Sequence, residues 1–215
     1  MQETRTIRPY PLWLAWANHP RRAIAWSLAV SLVVVAGTLA LQGTASLGWR
    51  AVTRHTAQIA FPLFLVAFLA SSIARLWPGP LSRALLARRR ALGLAFATAQ
   101  LVHGAAILIF ACYEPSTFAV DTRFLGGALG FVFVVAMVAT SNDAAQRRLG
   151  PSAWRALHRS GQITLFVIYA VTYAGRVAEN ARYWPGLLLL AAALAIRLIA
   201  ALAARSLRNR TLPIE

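Results

Sequence analysis

The chain has 215 residues, 59% of them hydrophobic and 13% charged, with a mean hydropathy of +0.59. A soluble domain of this size cannot hide that much apolar surface, so composition points to a membrane protein. The net charge of +16 comes from 22 arginines, with no lysine, against 6 acidic residues; the arginines lie between apolar segments and form no dense basic domain, which sets nucleic acid aside and leaves membrane lipid as the expected surroundings.

In chain order, residues 1–22 read as a cytoplasmic or interfacial amphipathic segment, 23–205 as a six-helix transmembrane domain and 206–215 as a cytoplasmic tail. The six apolar segments are Ala23–Leu41, Thr56–Trp77, Ala91–Tyr113, Phe124–Thr140, Leu157–Gly175 and Trp184–Ala204. Each is close to the ~20 residues that cross ~30 Å of hydrocarbon. Pro and Gly punctuate the joints, as in "WPGP" at 77–80, "LGPS" at 149–152 and "WPG" at 184–186. Trp49, Trp77, Trp154, Tyr183 and Trp184 fall at segment ends, where amphipathic rings favour the headgroup region. The expected fold is therefore an all-α, polytopic bundle.

Arginine placement orients it. The N-terminal segment, the second joint, the fourth joint and the tail hold 16 arginines, and the first, third and fifth joints hold five. By the positive-inside tendency both termini are expected in the cytoplasm, consistent with an even number of spans in a bacterial-type inner membrane. Arg197 lies within the last span, where its side chain can snorkel toward the cytoplasm. Reading the first apolar run as a cleaved signal peptide ending near Ala45 is disfavoured, because the run is long for an h-region and its arginines stand twenty residues in.

Cys112 is the single cysteine, so a disulfide within the chain is impossible and metal chemistry would rest on histidine. A histidine within the bilayer is a functional candidate by default. His103 stands twelve residues past Ala91, about 18 Å into the membrane at 1.5 Å per residue. His158 lies at the start of the fifth span, His55 at the opposite end of the second, and His19 just before Pro20. Interfacial hydrogen bonding suits His19 and His55; His103 and His158 are the candidate ligands.

Around these two histidines the chain contains "RRRALGLAFATAQLVHGA" (88–105) and "RRLGPSAWRALHRSGQITLFVIYAVTY" (147–173). These segments resemble the ferric reductase-like transmembrane domain family, which includes the haem-binding membrane subunit of the periplasmic methionine sulfoxide reductase system. The resemblance runs over roughly residues 50 to 205, and only "RR-x-LGL…H" and "LG-x-x-W-x-x-LHR" are specific to it. It implies a b-type haem bundle, one haem per chain, moving electrons across the membrane, with His103 as the third-span ligand and His158 as the first fifth-span ligand. Many relatives carry another histidine thirteen residues after the second of these; here that position is Val171. On this reading Arg155 and Arg159, which flank His158, would hold the haem propionates in bidentate fashion.

The chain contains no dinucleotide fingerprint and no P-loop. Quinone or a flavin supplied by a partner would serve as any further redox group, and the expected partners are a periplasmic redox protein and a cytoplasmic flavin reductase or quinol. Gly126 and Gly130 suggest a close-packing face, "TSND" (140–143) a capped helix end, and Tyr169 and Tyr173 core packing. The expected function is electron transfer from a cytoplasmic or quinol donor to a periplasmic acceptor; the competing expectation is a haem-free membrane subunit or scaffold that keeps the fold.

Overall fold

A computed structural model describes residues 17–118 and 122–210, all-helical apart from short joints. Most of the expected interfacial segment, residues 1–16, and the end of the expected tail, 211–215, lie outside the described residues. The helices are α1 (Pro20–Gln42), α2 (Ser46–Leu76), α3 (Pro80–Ala87), α4 (Arg89–Tyr113), α5 (Thr122–Ala139), α6 (Asp143–Glu179) and α7 (Trp184–Arg210). Single 3-10 turns at Pro115–Phe118 and Ala181–Tyr183 fill the joints on the side away from α3.

Local sequence explains the boundaries. Pro20 and Pro80 occupy the first turns of α1 and α3, where a missing N–H costs nothing. α1 stops at Gly43, whose φ of +78° a side chain would oppose. α6 contains the other such glycine, Gly150 (φ +76°), directly before Pro151. Proline disfavours the helical region for the residue before it. The helix therefore breaks there into a short arm, 143–149, and a long one starting at Pro151.

Four helical stretches are long and apolar enough to cross a membrane: Pro20–Gln42, Ser46–Leu76, Arg89–Tyr113 and Ala181–Ser206. α5 and α6 are bent by 116° at their joint and add up to one more crossing, giving four to five candidate spans against the six expected. α5 is short, and the first half of α6 carries Arg147, Arg148, Arg155 and Arg159, which dilutes its apolar stretch. α5 and the long arm of α6 nevertheless pack antiparallel. A Cβ on Gly130 would meet Leu165 and Ile168, one on Gly161 would meet Phe133 and Met137, and Thr140 touches His158. One partner climbs as the other falls, as in a hairpin. Gly130 provides the expected close approach, whereas Gly126 faces open space.

The core is centred on α2 and α4, with α1 against both. Phe61, Phe64 and Phe68 of α2 form an aromatic column with Phe96 of α4 and with Phe166, Tyr169 and Tyr173 of α6. α1 buries Ala23, Ser27, Ser31 and Thr38 while exposing Trp26, Val30, Val33 and Leu41. Small and polar groups inside with large apolar ones outside is the pattern expected where the surroundings are lipid and backbones meet closely. The chain is a multi-pass membrane protein.

Tyr173 also fixes α7. A Cβ on Gly186 would come within 3 Å of three atoms of the Tyr173 ring, and that ring is held by Phe61 at 4.7 Å. Gly186→Ala is expected to cost about 1–3 kcal/mol through overpacking, and Gly126→Ala to leave stability unchanged; thermal unfolding of both variants in one detergent checks this.

Candidate functional site

A cavity of about 260 Å³ opens at the end of the bundle where α4 begins and α5 ends. Its walls come from four helices: Phe64 and Phe68 of α2, Phe96 of α4, Val134 and Met137 of α5, and Leu165 of α6. Its polar groups are Arg89 and Arg90 at the start of α4, Thr140 and Asn142 at the joint, and Asp143, Gln146, Trp154, His158 and Gln162 of α6. Apolar walls with a few converging polar groups are typical of small-molecule sites.

The joint that closes this end is tightly bonded. Asn142 caps α6 by accepting from the Ala145 N–H (2.8 Å), as "TSND" suggested. Arg90 pairs with Asp143 at 2.9 Å across the cavity mouth. Both partners are well exposed, so the pair adds little stability, but it ties α4 to α6. Trp154 stacks on His158 with centroids 4.2 Å apart and donates its indole N–H to the Thr140 carbonyl (2.9 Å). The Thr140 hydroxyl donates to the Ala136 carbonyl (2.7 Å) and lies 3.1 Å from His158 Nε2.

His103 occupies a different level. It is half-buried on α4, with Nδ1 3.1 Å from the hydroxyl of Thr56 on α2 and its ring beside Phe131 of α5. Thr56 is 1% exposed. The cavity lining of α4 ends at Ala97, six residues before His103, or about 9 Å along the helix. On α5, Phe131 beside His103 and Thr140 beside His158 are nine residues apart, about 14 Å. The two candidate ligands thus lie at well-separated depths and do not converge on one point.

The flanking arginines also separate. Arg155 and Arg159 are exposed, and neither lines the cavity. Arg89 lines it and acts electrostatically on both His158 and Arg197. Arg197 of α7 lies over the Phe68 ring at 4.0 Å and donates to the Phe68 carbonyl (3.1 Å). Arg89 and Arg197, from two helices, thus meet at the cavity wall, the first in its lining and the second over Phe68, which also lines it. Sequence reasoning missed Arg89, Arg90 and Arg197 because all three read as topology or snorkelling residues; the position of Arg89 and Arg90 inside the "RR-x-LGL" motif was the available signal.

Residues 56–173 match the family described as ferric reductase-like transmembrane component. The match covers more than half of the 215 residues, from Thr56 to Tyr173. The chain belongs to that family. No curated protein and no solved structure matches it. As a ferric reductase-like chain, it carries His103, His158, Thr56 and the whole cavity within the family region, whereas α1, His55 and Arg197 lie outside.

His55 joins α1 to α2, its Nδ1 3.0 Å from the Thr38 hydroxyl. Tyr169 and Tyr173 sit in the aromatic column, and the Tyr169 hydroxyl donates to Gln100 Oε1 of α4 at 3.0 Å. Val171, at the position where relatives carry a histidine, is 65% exposed and turned away from the column. Tyr169→Phe removes one inter-helix hydrogen bond and is expected to cost about 0.6–1.7 kcal/mol, read as a lowered melting temperature without loss of expression.

Proposed function

We propose that this chain is a b-type haem protein of the bacterial-type inner membrane that carries electrons across it, from a cytoplasmic or quinol donor to a periplasmic acceptor. Membership of the ferric reductase-like family supports a membrane electron-transfer role. The observation that carries the rest is the meeting of an imidazole, aromatic walls and the Arg89 guanidinium in one cavity. An imidazole is a common axial ligand to porphyrin iron, apolar walls suit the macrocycle and cations suit the propionates. His158, the Phe64–Phe68–Phe96 wall and Arg89 have that chemistry, and Arg197 lies over the Phe68 ring of the same wall.

When bound, haem would supply the one-electron couple, which the side chains themselves lack. The residues bind, orient and exclude water. His103 remains the second imidazole with a ligand's chemistry, at its own deeper level; in this reading each histidine serves the level at which it lies, and Arg155 orients the bundle without touching the site. The cavity, at about 260 Å³, falls just below the roughly 300–1,000 Å³ usual for such sites.

The topology proposed with this function has six crossings and both termini in the cytoplasm. The antiparallel register of α5 and α6 and the arginine-rich end shared by α3, the cavity mouth and the first half of α6 support it. A partner, or quinol, would deliver electrons at that end.

The test is a reduced-minus-oxidised spectrum of the purified full chain with haem counted by the pyridine haemochrome method. The expected result is a sharp b-type α-band, lost in large part in His103→Ala and in His158→Ala while the protein stays membrane-inserted. Arg89→Ala combined with Arg197→Ala is expected to weaken haem retention or shift its midpoint potential, and Arg155→Ala to do neither. A colourless, stably folded protein made with ample haem supply would leave the haem-free scaffold as the better reading.

A further inference from the structure

The hydrogen bonds around the histidines carry more than packing. A threonine hydroxyl has one proton, and an imidazole nitrogen facing it either accepts that proton or donates its own. At each pair here the proton is already committed. Thr56 Oγ1 lies 2.8 Å from the Val52 carbonyl and 3.2 Å from the Thr53 carbonyl, and Thr140 Oγ1 lies 2.7 Å from the Ala136 carbonyl. Two oxygens at 2.7–2.8 Å need a hydrogen between them, and a carbonyl cannot supply it. Both hydroxyls therefore face their histidine with a lone pair, and the histidine nitrogen that meets them must carry the hydrogen.

The nitrogen that meets the threonine differs between the two. His103 presents Nδ1 to Thr56. His158 presents Nε2 to Thr140. Trp154, stacked on the His158 ring and bonded to the Thr140 carbonyl, holds that second arrangement in place.

We propose that Thr56 and Thr140 are positioning residues that lock the two candidate ligands in opposite tautomers, leaving His103 with a bare Nε2 and His158 with a bare Nδ1. The outer nitrogen of His103, farthest from its own backbone, is thereby set to accept a metal. His158 is set differently: a metal reaches it through the nitrogen nearer its helix, or only after the Thr140 bond breaks. The two levels are consequently unequal, with His103 the pre-set ligand and His158 the conditional one. The role as ligands rests on the haem reading above; the tautomers do not.

The experiment is ¹⁵N NMR of the full chain, labelled at histidine and prepared without haem, with His103 and His158 assigned by their alanine variants. Expected are a protonated Nδ1 on His103 and a protonated Nε2 on His158, with Thr56→Val mixing the tautomers of His103 alone, Thr140→Val those of His158 alone, and Thr56→Ser restoring the first. The same variants loaded with haem give the second readout: Thr56→Val weakens haem affinity by roughly ten-fold or more, as is usual when the partner of a ligating histidine is removed, while Thr56→Ser retains it. A protonated Nε2 on His103 in the unaltered chain overturns the proposal even if no variant folds, and so does a tautomer ratio that Thr56→Val leaves unchanged. Correct tautomers in a chain that takes up no haem would overturn the haem reading and leave the tautomer assignment standing.

Discussion

An imidazole inside an apolar bundle must give its N–H to some acceptor, and in this chain the acceptor is each time a threonine. The three pairs, Thr38 with His55, Thr56 with His103 and Thr140 with His158, join α1 to α2, α2 to α4, and the end of α5 to α6. Each threonine sends its own proton back to a carbonyl of its own helix, so the hydroxyl and the imidazole nitrogen that meets it are both satisfied. The same rule runs through the other inter-helix bonds, from Ser27 to the Ala95 carbonyl and from Arg197 to the Phe68 carbonyl. Smooth apolar helices can slide and rotate against each other; these few polar bonds fix their register. Ser31 is the exception, a buried hydroxyl without a partner, and its small volume lets α1 approach its neighbours closely.

Charge is organised by the same scarcity. Acidic groups are few, and Asp143 is paired with Arg90. The Arg197 guanidinium lies over Phe68, and Arg89 lines the cavity that Phe68 also walls, so two cations stand near one aromatic wall. In water this would matter little, but beside an aromatic column screening is weak and an incoming anion gains correspondingly more.

Much of the fold was legible in sequence because hydropathy and arginine placement report the same physics that folds the chain. The apolar segments found their helices, and Asn142 and Gly130 behaved as their residue types suggested. What hydropathy could not show was helix in polar stretches: α2 starts ten residues before Thr56 and α6 fourteen before Leu157, since backbone bonds continue through interfacial arginines. It also could not separate a hairpin from two full crossings at α5 and α6. For the site, His103 and His158 stood out because ionisable groups are rare in such a chain. Their different depths, and the facing of Arg89 rather than Arg155 into the cavity, depend on which helix face meets which neighbour, and that is written in no single segment.

The distribution of burial has a consequence for how occupancy and folding are coupled. Most fully buried residues belong to α1, α2 and α4, whereas the buried positions of α5 and α6 reduce to a few, such as Val134, Gly161 and Leu165. Opening costs least where least is buried. The cavity runs along that boundary between a dense half and a sparse one, so whatever fills it also supplies the contacts the sparse half lacks. Holo and apo forms would then differ as two points on one binding curve, with the free energy of ligand capture appearing directly as mechanical cohesion between the halves.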